Sequence, residues 1–427
     1  MIPDLASFLA IDAAHPLRWL KVGKMLDSRQ RRVVANAHLV YEAARILYAG
    51  TEPPPAEMVA GCACYDLPDH TALPGLIEGH SHVALAGAEL DAAQRAVYQN
   101  QAPATLLRFA LARSETTAKL GVVAMRDGGD KAGVGLSISR LTGATETGPA
   151  CTTRVFSPGS GIHRRGRYGA FFSEPIEDFP DPAACVAARV AAGADHVKLV
   201  PTGIINFAKG EVTAAPQFHA AEIAQFKLSA AHHHRHLMAH ASGTSGIGEA
   251  IDGGVDTIEH GFFITPEQLA KMRDRNIAWL PTFAPVQAQV DFADLMGWTE
   301  PIIANLRRIL ENHARSLQTA LALGVNVLVG SDAGSYGVAH GDGLLWEMEL
   351  MQAAGMKPLD LLCQATLGNQ RALTVNNRLG ELAAECPARF ILTAHDPFHS
   401  VAALRKRRHI ISDGQIFDSE AVTREGL

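Results

Sequence analysis

Long apolar runs are missing from this sequence. A membrane-spanning helix needs about 18 or more consecutive apolar residues, and no such stretch occurs, so no membrane partner is expected. The N-terminal MIPDLASFLAIDAAHPLRWL has no basic residue ahead of its short apolar stretch and carries Asp4 and Asp12. It makes a poor secretory leader. Cysteine is sparse: six residues in 427, whose one close pair is Cys62-Ala63-Cys64. Neither zinc-knuckle nor redox spacing is present, and a chain this long needs no disulfide staples. The expectation is a cytoplasmic protein with scattered buried thiols at Cys62, Cys64, Cys151, Cys185, Cys363 and Cys386. Positive charge is not in excess either, with 38 basic residues against 44 acidic ones. Nucleic acid is therefore not an expected partner. Aromatic residues are few, at 16 Phe, 6 Tyr and 4 Trp, and histidine outnumbers each of them at 19. So much histidine either binds metal or decorates the surface, and composition does not separate the two.

What is present is a change of texture along the chain. Residues up to about 75 read as short strands, at Arg18–Leu26, Val33–Tyr41 and Arg45–Ala49, closed by Gly50 and the Pro53-Pro54-Pro55 run. Eight apolar runs follow: Leu76–Val83, Val122–Asp127, Thr152–Phe156, His196–Pro201, His236–Ala241, Thr257–Gly261, Ile277–Thr282 and Val325–Asp332. Helical stretches such as Ala183–Ala192 and Ala220–Ala231 lie between them. Repeated strand–helix alternation argues for a parallel sheet, and eight strands favour an α/β fold of the (β/α)8 TIM-barrel type. A doubly wound open sheet is the runner-up, weakened because no Gly-x-Gly-x-x-Gly follows the first strand. Two helices, near Leu344–Ala354 and Pro358–Thr374, precede a tail with strands at Ala388–Thr393 and His409–Phe417. Each β-rich end is too small to bury a core alone. We therefore expect residues 1–74 and 382–427 to form one small β-sandwich domain beside a barrel of residues 75–381.

The ionisable residues on those runs carry the functional reading. His80 and His82 in Gly79-His80-Ser81-His82-Val83 share one face of a strand, because side chains alternate. They stand at its C-terminal end, where barrel enzymes build their active sites. Lys198 lies within His196-Val197-Lys198-Leu199-Val200, where a lysine is costly to bury without a partner. His240 and His260 close two further runs, and Asp332 ends an apolar strand with a carboxylate. Singly, each histidine could be an ordinary core residue. Together, five strands point candidate ligands into one mouth. Imidazole and carboxylate suit Zn²⁺ or a similar divalent ion. A free ammonium would repel it, whereas a lysine carbamylated by CO₂ supplies an anionic oxygen able to bridge two ions. The physical expectation is two divalent ions, with Zn²⁺ first in line, and a bridging hydroxide.

The segments LPGLIEGHSHV, GVVAMRDGG, AAGADHVKL, LMAHASGTSGIGEAIDGGVDTIEHG, LPT and VLVGSDAG resemble the metal-dependent amidohydrolase superfamily. The resemblance is strongest to its Xaa-Pro/Xaa-Arg dipeptidase and imidazolonepropionase-related branch, from about residue 73 to 381. It implies that His80 and His82 hold the more buried ion, that His240 and His260 hold the second, and that N6-carboxylated Lys198 bridges them. Asp332 would be a ligand and the catalytic proton shuttle. The implied activity is hydrolysis of an amide- or peptide-type C–N bond by a metal-bridging hydroxide. The implied substrate is a small molecule of dipeptide, N-acyl amino acid or aryl amide/carbamate class, and a homo-oligomer is expected. Two segments depart from the family: Pro201-Thr202-Gly203-Ile204-Ile205-Asn206 after the lysine strand, and Ala388-Arg389 in the small domain. The first lines the substrate side, so dipeptide specificity does not carry over.

Further candidates sit on the loops. Ser157–Gly169 holds His163, a candidate substrate contact, with Arg164, Arg165 and Arg167 as possible grips for a substrate carboxylate. Tyr336 and His340 follow Asp332 and are also read as substrate contacts, as more distantly are Asn206 and Glu259. The tract His232-His233-His234-Arg235-His236 reads as a solvated turn at the bottom of the barrel, and Arg405-Lys406-Arg407-Arg408 as a solvated face. A deaminase of a heterocyclic base on the same barrel is the alternative function. It wants a Glu three residues past a histidine, but Gly261-Phe262-Phe263 follows His260, and Lys198 would be left unexplained. A non-catalytic relative would have lost ligands that this chain keeps.

Overall fold

The computed structural model describes residues 5–9, 11, 16–143, 152–373, 378–419 and 421. Cys151, Thr374 and nine of the twenty residues read for a leader lie outside these. The N-terminal segment supplies β1 (Arg18–Asp27), β2 (Arg32–Tyr41), β3 (Ile46–Gly50) and β4 (Cys64–Pro74). The central part supplies β5 (Leu76–Ser81), β6 (Val122–Asp127), β7 (Arg154–Phe156), β8 (Gly161–His163), β9 (Ser173–Pro175), β10 (Val197–Leu199), β11 (Leu237–Ala241), β12 (Thr257–His260) and β13 (Ala278–Leu280). The tail adds β14 (Arg389–Thr393), β15 (Arg408–Ser412) and β16 (Gln415–Ser419).

The two ends of the chain do pair, but in one sheet rather than two stacked ones. Its order is β16-β15-β14-β4-β1-β2-β3, because β4 bonds β1 on one side and β14 on the other. In a flat sheet β14 and β2 would stand three strand spacings apart, ~14 Å. Yet the Phe390 and Tyr41 rings meet edge-on at 5.1 Å between centroids. The sheet curls until its apolar face closes on itself, and Leu20, Val22, Leu39 and Leu392 fill the enclosure. Curling replaces the second layer that a sandwich would need.

The parallel strands of the middle form two sheets, β5-β6-β7 and β13-β12-β11-β10-β8-β9. The eighth run makes only isolated bridges, Trp279↔Val327 and Ser81↔Ala333. Its backbone nevertheless joins the sheets: Leu328 N–H donates to Trp279 O at 2.8 Å, and Gly79 N–H to Val329 O at 3.0 Å. On the other seam Asp195 N–H donates to Ser157 O at 2.8 Å. The arrangement is TIM-barrel-like α/β. Asp332 adopts φ 55°, a left-handed backbone, between those two bridges. The third run is interrupted after Phe156 and resumes as β8, so part of the expected mouth loop is buried strand. Amphipathic helices cover the outside. Glu300–Leu323 buries Ile303, Leu306, Leu317 and Ala320 at helical spacing, and each large aliphatic contributes about 1.5–3 kcal/mol.

Two expectations about the periphery change. Arg405 pairs with Glu349 (2.6 Å) and Asp342, and Arg408 is buried and donates to Leu120 O at 3.0 Å. Half of that basic run therefore ties the tail to the barrel instead of facing water. Of the thiols, Cys185, Cys363 and Cys386 are buried, but Cys62 is half-buried and Cys64 exposed. The histidine tract forms a turn, with His232 and His234 exposed. No described helix is long and apolar enough to cross a membrane.

Candidate metal centre

Strand ends bring six predicted residues into one cluster. His80 lies on β5, with His82 just beyond it; Lys198 lies on β10, His240 on β11 and His260 on β12, while Asp332 lies between the bridges at Val327 and Ala333. Ring centroids of His80 lie 5.6 Å from His82 and 5.1 Å from His260, and those of His240 and His260 are 4.6 Å apart. All six are buried.

Hydrogen bonds behind the rings set what the rings present in front. His80 Nδ1 donates to Glu259 Oε2 (2.7 Å) and His82 Nδ1 to Gly129 O (3.2 Å). His260 Nδ1 bonds Thr282 Oγ1 (2.7 Å), whose own proton goes to Pro281 O. Burial, reinforced by the positive charge of Lys198, holds His82 and His240 down to about 3, and burial holds His80 and His260 well below the usual histidine range. The imidazoles of His80 and His82 are thus neutral, with a lone pair on Nε2. Those two lone pairs face Asp332 Oδ1 at 3.5 and 3.6 Å. Three acceptors so close repel one another unless a cation, or a proton on the carboxyl, lies between them. His80 Nε2, His240 Nε2, Lys198 Nζ and Asp332 Oδ1 are all buried without hydrogen-bond partners, and an orphan of this kind costs about 1–3 kcal/mol. The donor set fits divalent metal. Ligand atoms of His80, His260 and Asp332 all lie within 4.8 Å of one another.

Burial also pushes the Asp332 carboxyl up and the Lys198 ammonium down. Ser335 Oγ donates to Asp332 Oδ2 at 2.8 Å, which leaves Oδ1 facing the histidines. His260 and Asp332 both have positive φ, 69° and 55°, a conformation that costs an L-residue roughly 1–3 kcal/mol and gathers at functional sites. The His260 turn is locked by Trp279, whose Nε1 donates to His260 O at 2.9 Å. A Cβ at Gly261 would lie 2.4 Å from that same nitrogen, so only glycine can follow His260.

Above the cluster opens a cavity of about 550 Å³, lined by His82, Lys198, His240, His260 and Asp332 at its floor. Tyr168, Phe172, Phe207, Phe262 and Val286 make apolar walls. Tyr336 lines it, as its sequence position suggested, whereas His163 and His340 do not. His163 is on buried β8 and bonds Ser173 Oγ at 3.0 Å; His340 Nε2 bonds His82 O at 3.0 Å. The three loop arginines are engaged elsewhere. Arg164 bonds Gln217 and Glu222, Arg165 bonds Asp178, and Arg167 bonds Ala215 O. Asn206 accepts from Lys209 N–H in its own loop. Glu259 sits behind His80, bonded to Arg126 Nη2 at 2.8 Å, rather than facing the cavity. Sequence reading missed Arg95 on the cavity wall, because nothing local marks a helical arginine that turns inward. Tyr168 was visible only as a member of the basic loop; its ring lies 5.3 Å from His240.

Residues 71–417 match the family described as Amidohydrolase family. An uncharacterised protein of Mycobacterium tuberculosis is 26% identical over 349 residues, covering 81% of this chain and 85% of its own length. Ochratoxinase of Aspergillus niger is 22% identical over 329 residues, covering 69% of this chain and 65% of its own. Among solved structures, a Xaa-Pro dipeptidase with bound methionine in the active site superposes with TM-score 0.76 at 22% identity, over 94% of this chain and all of that one.

Proposed function

This chain belongs to the amidohydrolase family, hydrolytic enzymes acting on C–N bonds, and we propose that it is a binuclear metal hydrolase of a small amide-type substrate. The convergence of the His80 and His82 lone pairs on Asp332 Oδ1 carries the reading. His80 and His82 would hold one ion, His240 and His260 the other, with Asp332 as a ligand and N6-carboxylated Lys198 as the bridge. Zn²⁺ suits this nitrogen-and-oxygen set. When bound, such ions acidify water and polarise a substrate carbonyl. We read the two parallel sheets, with the eighth run between them, as one closed (β/α)8 barrel of residues 75–381, with 1–74 and 382–427 as the second domain.

The chain's own residues supply the rest of the chemistry. Burial depresses the Lys198 amine toward its neutral form, the form that reacts with CO₂. Asp332 Oδ1 receives the proton of the attacking water and returns it to the departing nitrogen. Apolar walls exclude competing water. The deaminase alternative lacks its general acid, because the third residue past His260 is Phe263, and Phe262 beside it is an apolar wall of the cavity.

The test is metal analysis of the purified protein together with turnover of Xaa-Pro dipeptides, N-acyl amino acids, aryl amides and carbamates. About two ions per chain, chelator-sensitive cleavage and a mass increment of one CO₂ on Lys198 are expected. A metal-free protein with chelator-insensitive activity would refute the reading.

A further inference from the structure

The cavity is charged unevenly. Of its lining residues only Asp332 is a carboxylate, and only Lys198 and Arg95 carry cationic side chains. Asp332 and Lys198 belong to the metal cluster, which leaves Arg95. Its guanidinium is half-buried and makes no ion pair among the described residues; it donates only to backbone oxygens, of Ala86 and Glu89 after β5 and of Gly334 (3.1 Å) beside Asp332. It also lies 5.8 Å from the ring centroid of Tyr336, whose hydroxyl oxygen is buried without a hydrogen-bond partner. A guanidinium has five N–H donors, so three carbonyls leave this cavity-lining side chain two to spare. A cation with no anion and a hydroxyl with no partner therefore stand together on one wall.

The rim adds an independent observation. Phe171 and Ile204 are 53% and 51% exposed, and both line this cavity. Large apolar side chains held open at a pocket mouth are covered economically by an apolar ligand. Nothing in the lining offers a counter-charge for a free ammonium, so a zwitterionic dipeptide would leave its amino group unpaired.

We propose that the cavity takes a monoanionic N-acyl amino acid with a bulky apolar acyl group or side chain, its carboxylate held by Arg95 and the Tyr336 hydroxyl. This rests on the amide-hydrolase reading above. Arg95 is the specificity determinant. It selects by charge, while Phe171 and Ile204 select by apolar surface.

The experiment compares three substrates on the metal-loaded wild-type enzyme: N-naphthoyl-L-phenylalanine, its C-terminal carboxamide, and the free dipeptide Phe-Phe. The carboxylate substrate is expected to exceed both others in kcat/KM by about 10–100-fold, the worth of a hydrogen bond to a charged group. Arg95→Met and Tyr336→Phe are expected to shrink that preference, chiefly through KM. Because Arg95 also ties two loops together, the substrate comparison on the wild type decides. Equal kcat/KM for acid and carboxamide, or the dipeptide as best substrate, overturns the proposal. Cleavage of none of the three by fully loaded enzyme overturns the amide-hydrolase reading instead. In that event calorimetry with the same N-acyl amino acid judges the carboxylate site by itself. Binding weakened about tenfold or more in Arg95→Met sustains it, and binding that is absent or unaffected by the substitution overturns it.

Discussion

Glu259 Oε2 lies 2.7 Å from His80 Nδ1, and both side chains are wholly buried. Glu259 Oε1 in turn accepts a hydrogen bond from Arg126 Nη2 at 2.8 Å, while Arg126 Nε donates to Gly79 O at 2.8 Å. The chain Arg126–Glu259–His80 fixes the imidazole's tautomer and aims Nε2 at the cluster. Such supporting carboxylates raise the basicity of a ligating histidine.

Glu259→Gln keeps the shape but weakens the hold on His80. Metal affinity is expected to fall about 10–100-fold, with the fold retained. Arg126→Met leaves the Glu259 charge buried and unpaired, and should cost about 3–5 kcal/mol of stability. Metal titration and urea unfolding check the pair. Equal metal affinity of wild type and Glu259→Gln would remove Glu259 from the site's support.

Gly128 faces His82 so closely that a Cβ there would lie 2.5 Å from the ring's Cε1. Gly128→Ala must push the imidazole out of line. The expected result is lost metal and a kcat lowered about 100-fold or more, since an ångström of misplacement costs on that order. Thermal stability should move little, being set by the core elsewhere. Full metal occupancy and normal turnover in this variant would mean that His82 is not a ligand.

Asp332→Asn removes the carboxylate proposed to accept the proton, while keeping the Ser335 contact sterically possible. Turnover should fall by about 10²–10⁴, the usual worth of general acid–base catalysis, with the circular dichroism spectrum unchanged. Near-normal kcat would reassign the proton transfer to another group.

His313 gives a pH dependence away from the cluster. It is stacked 4.1 Å from Phe262, its Nε2 donates to Pro281 O, and burial drives it down to about 4. In the unfolded chain it binds a proton near pH 6.5. Between about pH 6.5 and 4 the unfolded state therefore holds the extra proton, and stability falls as pH falls, by up to about 1.4 kcal/mol per pH unit from this residue. Denaturant midpoints at pH 7 and pH 5 should diverge less in His313→Phe than in wild type. An undiminished difference would place the acid sensitivity elsewhere.

Much of the centre could be read locally. Alternation along a strand places His80 and His82 on one face, and an apolar run that contains Lys198 or ends in Asp332 advertises a buried ionisable group. Several strand boundaries at the two chain ends were equally readable, because turn residues and β-rich runs are short-range signals, but β4, the strand that joins the two ends, was not among the strands read. The sequence by itself thus determined which side chains would be buried at strand ends and, through its motifs, the family. Only the tertiary structure decided their supports and surroundings. Glu259 reaches His80 across 179 residues, and Arg95 joins Gly334 across 239. The single curled sheet arises because β4 bonds strands from both ends of the chain. Hydrogen bonds and charge pairs act over a few ångströms in space, whatever the separation along the chain. Local pattern therefore reveals a ligand, but not the residue that orients it or the wall its substrate meets.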